Sequence, residues 1–171
     1  RISCAAAIYH CMNPSAYTAA AWESEYPRLG AALIAAALAN DARLVCLDNL
    51  YGYGITEGRR SEDTAMGTTG PKGRVRIAWD ESLPTTSGLR FVVGRAGDFY
   101  GPGAADNSLF SGTAIRGLAG GGAMWLIGNA AAPHAFSYVP DVVRARFPGL
   151  ATTLDEAVRE TIAAEAVAAA A

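Results

Sequence analysis

Lysine is almost missing: Lys72 is the only one in a chain of 171 residues. Histidine is scarce too, with His10 and His134 alone, too few to build a zinc site with the distant cysteines. The three cysteines, Cys4, Cys11 and Cys46, are odd in number and sit in apolar contexts. That pattern reads as buried free thiols of a cytoplasmic protein rather than a disulfide framework. No stretch of about 18 or more bulky apolar residues is present, and "LGAALIAAALAN" is too short and too alanine-rich to span a bilayer. No basic start followed by an apolar segment marks a secretory signal. The formal net charge of −2 gives no pull towards nucleic acid or an anionic membrane. Against these scarcities, 51% of residues are apolar, ample for the core of an ordinary domain.

The apolar segments alternate in kind. "AAAIYHCM" reads as a buried strand broken by Asn13-Pro14. From Trp22 to Leu38, the residues Trp22, Tyr26, Leu29, Leu33 and Ala37 recur at helical spacing, with Pro27 tolerable only near a first turn. "RLVCLD" (43–48) is a second strand, apolar enough to be covered on both faces. A polar loop follows over 55–73, and "GRVRIAWDESL" (73–83) starts a helix that Pro84 closes early. "LRFVVGRA" (89–96) is a third strand with the glycine-punctuated exit "GDFYGPG". "MWLIGN" (124–129) is a fourth, and Pro140-Asp141 begins a helix. "TTLDEAVRETIA" (152–163) is a helix with Thr153 as cap and Glu156 completing a capping box. The rhythm predicts an α/β domain with a mostly parallel sheet.

Ligands of such sheets bind in the crevice beyond the strand ends. Asn13 follows the first strand, Asn49 and Tyr53 the second, and Asp98 and Tyr100 the third, so a shared edge would present amide, phenol and carboxylate groups together. Lys72, in the glycine-rich loop, is either a solvated residue or the cation that binds a ribose hydroxyl or lowers a phenol pKa. His10 reads as a packed, hydrogen-bonded residue and His134 as part of a substrate loop. Glu62 and Asp63 read as solvated carboxylates.

"LDNLYGYG", "PKGRVR", "GRAGDFYGPG" and "SYVPDVVRA" together resemble the extended short-chain dehydrogenase/reductases, the NAD-dependent epimerase/dehydratase family. The most specific match is the loop Arg95, Asp98, Tyr100, Gly101 and Pro102, similar to the family's Arg-x-x-Asn-x-Tyr-Gly-Pro segment. "YHCMNP" looks like the end of the family's fourth strand, and Tyr138, Val139, Asp141 and Val142 resemble its Tyr-Val-x-Asp-Val. The resemblance implies a Rossmann-like nucleotide-binding fold, NAD or NADP as cofactor, and a nucleotide sugar or other small hydroxylated substrate, with a homodimer as an allowed assembly. By the same resemblance Tyr53, Lys72 and Asn49 are the catalytic candidates, and Asn13, Asp98, Phe99 and Tyr100 the cofactor contacts.

The departures are as informative. The family's Tyr-x-x-x-Lys pair is not met, since four residues before Lys72 stands Thr68, whose hydroxyl is too weak an acid to replace a phenol. Asn49 stands where the family has a serine or threonine. Another phenol serves, Tyr53 or Tyr51, or the chain is a non-catalytic dinucleotide-binding or scaffold member. No Gly-x-x-Gly-x-x-Gly turn, the usual pyrophosphate cradle, occurs ahead of the first strand. The N-terminal βαβ half of the fold is therefore expected to be absent. Residues 1–141 are expected to be part of the nucleotide-binding domain and 142–171 a C-terminal helical segment joined across a gap. A Cα spacing well above about 3.8 Å within 142–148 would mark that join.

Overall fold

The computed structural model describes residues 5–56, 58–102, 104, 108, 117–122, 129 and 131–144. The chain forms two compact units, Arg1–Arg95 and Ala96–Ala171.

In the first unit, β1 (Ala7–His10), β2 (Arg43–Asp48) and β3 (Arg90–Arg95) form a parallel sheet in the order β1-β2-β3. The register pairs His10 with Cys46 and Cys46 with Val93, and Asp48 with Arg95. Parallel neighbours need a crossover, and here α1 (Ala19–Ala39) links β1 to β2 while α2 (Pro71–Thr85) links β2 to β3. Both crossovers step across the sheet in the same direction, so their helices fall on the same face. The core lies between: Ile8, Leu44 and Cys46 from the strands meet Tyr26, Leu33 and Ala37 from α1 and Trp79 and Leu83 from α2. Each large apolar side chain so covered contributes roughly 1.5–3 kcal/mol.

Local chemistry sets the helix ends. Thr18 caps α1, its hydroxyl oxygen accepting from the Ala21 amide at 3.3 Å. Asn40 ends it, donating from Nδ2 to the Ala36 carbonyl at 2.8 Å. Pro71 opens α2 at a position where its missing N–H costs nothing. The two helices approach closely because Gly30 leaves room: a Cβ there would lie 2.7 Å from the Trp79 ring.

Several expectations are corrected. Pro27 lies in the middle of α1, whose buried stripe Trp22, Tyr26, Gly30, Leu33 and Ala37 runs past it, so burial outweighs one lost backbone bond. Helix α2 begins at Pro71 and continues through Pro84, so Lys72 lies in its first turn and not in the preceding loop. Only one face of β2 is fully covered: Leu44, Cys46 and Asp48 are buried, while Val45 and Leu47 on the other face are half-buried. Cys46 is buried, but Cys11 is exposed because it follows the end of β1, beyond the cover of the helices.

In the second unit, β4 (Asp98–Tyr100) pairs in parallel with β5 (Phe136–Tyr138), and α3 (Val139–Arg144) follows. Asp98, Phe99 and Tyr100, expected in a turn-like exit, are thus a strand, which among the described residues pairs with β5 alone. Tyr100 and Tyr138 are buried against each other, ring centroids 5.3 Å apart. The expected strand 124–129 up to residue 128, the helix 152–163, Cys4 and Trp125 lie outside the described residues. So does most of the span 142–148 in which a join was expected.

Candidate functional site

The C-terminal ends of β1 and β2 lie side by side, and a buried polar network ties their exits together. Arg76 on α2 is its centre. The Arg76 guanidinium meets the Asp48 carboxylate at 2.8 Å, both side chains almost wholly buried. It also donates to Asn13 Oδ1 at 3.0 Å and to the Tyr26 hydroxyl, and lies 4.7 Å from the Trp22 ring centroid. His10 Nε2 is 3.1 Å from the Tyr26 hydroxyl. Asp48 in turn accepts the Asn49 amide at 2.7 Å. Thus Asn13 and Asn49, at the ends of different strands, are held through one guanidinium.

Burial dominates the electrostatics. It raises the Asp48 carboxyl above its ordinary range, opposed by Arg76 and the Asn49 amide. It raises the Tyr26 phenol, so Tyr26 stays protonated, and pushes the Cys46 thiol up to about 12, which makes Cys46 a packing residue rather than a nucleophile. His10 is lowered, first by burial and then by Arg76, and stays neutral near pH 7.

The catalytic candidates occupy the same exit but face different partners. Asn49 accepts the Tyr51 amide through Oδ1 at 3.0 Å and so starts the 3-10 turn Tyr51–Tyr53. Tyr53 is 5% exposed, its hydroxyl donating to the Ser61 carbonyl at 3.4 Å and accepting from Arg95 at 3.4 Å. Arg95 is fixed in turn by Asp80 at 2.5 Å. Lys72 does not meet Tyr53: its ammonium donates to the Tyr17 carbonyl at 2.8 Å and sits 3.3 Å from that residue's ring centroid. Tyr17 and Tyr51 share a hydrogen bond between their hydroxyls.

Sequence reasoning missed Arg76 and Tyr17. A signal for Arg76 existed, since it stands at helical spacing among Gly73, Trp79 and Leu83 and interrupts a buried stripe. Tyr17 carried none, because its value depends on contacts 34 and 55 residues away.

In the second unit, Asp98 Oδ2 meets His134 Nε2 at 2.6 Å, and the His134 ring lies 4.6 Å from that of Phe136. The Phe99 carbonyl accepts from Ser108, and Tyr100 packs on Tyr138. Burial, then Asp141, raises the Tyr100 phenol. Asp98, Phe99 and Tyr100 are thus grouped with each other and with His134.

No family model matches the chain, and no curated protein matches it. Solved structures do. UDP-glucuronic acid 4-epimerase from Bacillus cereus, in complex with NAD, is 16% identical with a TM-score of 0.71 over 89% of this chain and 51% of that one. A double mutant of DesIV, the dTDP-glucose 4,6-dehydratase of Streptomyces venezuelae with NAD and DAU bound, is 21% identical with a TM-score of 0.67 over 81% of this chain and 46% of that one. MoeE5 in complex with UDP-glucose and NAD is 21% identical, TM-score 0.63, over 82% and 50%. The chain spans about half the length of these structures. The likeness shows the fold: this chain has the Rossmann-like, mostly parallel α/β architecture of the NAD-dependent epimerases and dehydratases.

Proposed function

We propose that the protein is an NAD(P)-dependent epimerase, dehydratase or reductase acting by hydride transfer on a nucleotide sugar or another small hydroxylated substrate. One observation supports this above the rest: the exits of parallel strands β1 and β2 carry Asn13, Asn49 and Tyr51 on one edge, fixed by the buried Arg76–Asp48 pair. Crevices at such edges are where this architecture takes its ligands. Neighbours of the same fold hold NAD and nucleotide sugars.

The residues at this edge suit the nicotinamide and ribose end of a dinucleotide. Beside Asn13 a shallow crevice opens, walled also by Met12, Pro14 and Leu29. The Lys72 ammonium and the phenols Tyr17 and Tyr51 add donors and one positive charge near the β2 exit. When bound, the nicotinamide accepts or returns a hydride at C4. In the first unit Asn13 is the residue that would contact it; Asp98, Phe99 and Tyr100 are cofactor contacts by the family resemblance alone. Asn49 would set the 3-10 turn, Tyr53 would wall the site, and Lys72 would supply the cation beside the reacting hydroxyl.

A second reading, a dinucleotide-binding or scaffold member without turnover, is favoured by the burial of Tyr53 and its separation from Lys72. Calorimetric titration of the full-length protein with NAD⁺ and NADP⁺ decides whether the fold is used for dinucleotides, and saturable binding is expected. Cofactor reduction across a panel of nucleotide sugars then separates the two readings. Binding without reduction would leave the scaffold, and no binding of either dinucleotide would end both.

A further inference from the structure

A groove follows the line along which α1 and α2 meet, and Asn13, Asn49, Tyr53 and Lys72 take no part in lining it. It holds about 490 Å³, the size of an ordinary small-molecule site. Trp79 and Gly30 close it from beneath, because the helices touch there: a Cβ on Gly30 would lie 2.7 Å from the Trp79 ring. Pro27, Ala31 and Ile34 line it from α1, and Val75 and Ala78 from α2, so both walls are apolar.

Polar groups gather at one end. Arg74 and Glu23 stand there as a loose pair at 3.9 Å, their side chains 59% and 53% exposed. Arg74 also donates to the Thr69 carbonyl. Ile34 lies about 16 Å further along the α1 axis than Glu23, and marks the other end. Ser82, which also lines the groove, turns its hydroxyl onto the Trp79 carbonyl at 2.6 Å, so that group is already spent.

We propose that this groove is a binding site for an apolar anion, an aliphatic chain with a terminal carboxylate, its chain between the helices and its carboxylate on Arg74. The shape asks for an amphiphile, since one end is charged and the rest is apolar. Charge then decides its sign. An exposed ion pair is worth little, so a ligand carboxylate replaces Glu23 on Arg74 at small cost. It gains a planar donor fork, and its chain leaves water for apolar walls. An ammonium would instead have to displace Arg74, which the Thr69 carbonyl holds in place. The first turn of α2 contains no acidic residue to repel an anion. Other charges on the two helices are engaged: Arg76 by Asp48, Lys72 by the Tyr17 carbonyl, and Glu25 by Ser15. Such a site requires neither a dinucleotide nor hydride transfer.

Calorimetric titration of the full-length protein with decanoate, decylamine and decanol provides the test. Saturable binding of decanoate is expected, tighter than that of decylamine. Arg74→Gln is expected to weaken decanoate about tenfold, the usual worth of one charge-assisted contact, and to leave decanol unchanged. Glu23→Gln removes the competitor for Arg74 and is expected to tighten decanoate. Ala78→Phe, at an exposed wall position, fills the groove and is expected to abolish binding of decanoate and decanol. Tyr9→Lys with Val92→Lys, on the sheet face away from the helices, is expected to change neither. Circular dichroism checks that each variant is folded. The site is overturned if decanoate does not saturate, if decylamine binds more tightly, or if Arg74→Gln or Ala78→Phe leaves decanoate affinity unchanged. A dimer in sedimentation that Ala78→Phe dissociates would overturn it too, since a second copy then fills the groove.

Discussion

At the scale of the residue, Arg76 governs the site, and its effect is asymmetric. A buried ion pair gains little over an apolar pair, because both charges have lost their hydration. Removing one partner is different, since it strands the other charge where water cannot reach. Arg76→Met leaves Asp48 buried without its cation and frees Asn13 and the Tyr26 hydroxyl. The expected loss is about 3–5 kcal/mol in urea unfolding. The double variant Arg76→Met with Asp48→Asn recovers part of that loss, because no uncompensated charge remains. Equal costs for single and double variants would show that the pair is not the source of the effect.

His10 adds a pH dependence with a definite sign. Its pKa in the folded protein lies below the ordinary 6.5, through burial and then the Arg76 charge. The unfolded chain therefore binds a proton first as pH falls. This contribution is fully present above about pH 6.5 and is lost progressively as the pH drops from there towards the folded-state value. The urea midpoint of the intact protein is expected to fall between pH 7.5 and 5.5. In His10→Gln, which keeps a polar side chain opposite Tyr26, the fall over that interval is expected to be smaller. A variant whose midpoint fell as steeply as the parent's would rule out His10 as the cause.

At the scale of the element, Pro27 is the anomaly of α1. It withholds the N–H that would bond the Glu23 carbonyl, and its ring crowds that turn. The residue is exposed and mid-helix. Pro27→Ala restores the bond without touching the buried stripe, while the unfolded chain gains some freedom that works the other way. The net expectation is a stabilisation of about 1–2 kcal/mol, read as a higher thermal midpoint. A lower midpoint would mean that the ring itself contributes packing.

The same elements show what was legible in the letters. The cores of β1, β2 and β3 and the stripe of α1 were readable, because apolar runs and helical spacing are local signals. Helix α2 was read too short because both of its prolines stand near its ends, where each removes little. Strand β4 was invisible: Asp98–Tyr100 becomes a strand only through pairing with Phe136–Tyr138, a partner far along the chain. The site divides the same way. Asn13, Asn49 and Tyr51 could be placed at strand exits from the pattern alone. The contact that Lys72 makes, with Tyr17, arises from how α2 seats on the turn, which no spacing rule encodes.

At the scale of the whole molecule, the sheet of the first unit has two unlike faces. Ile8, His10, Leu44 and Cys46 lie under the helices. On the opposite face the register aligns Tyr9, Val45 and Val92 in one row, with Tyr9 65% and Val92 48% exposed. Parallel sheets of this architecture are ordinarily covered on both faces, and this chain spans about half the length of the solved structures that share its fold. An apolar row of this kind binds hydrophobic dyes even in a well-packed protein. The chain is therefore expected to enhance the emission of anilinonaphthalene sulfonate while still unfolding cooperatively. Tyr9→Lys combined with Val92→Lys is expected to remove most of that enhancement and to shift stability by only about 0.5 kcal/mol per site, as for other exposed positions. Dye emission unchanged by the pair would place the exposed apolar surface elsewhere, and a large loss of stability would mean that the row is covered in solution.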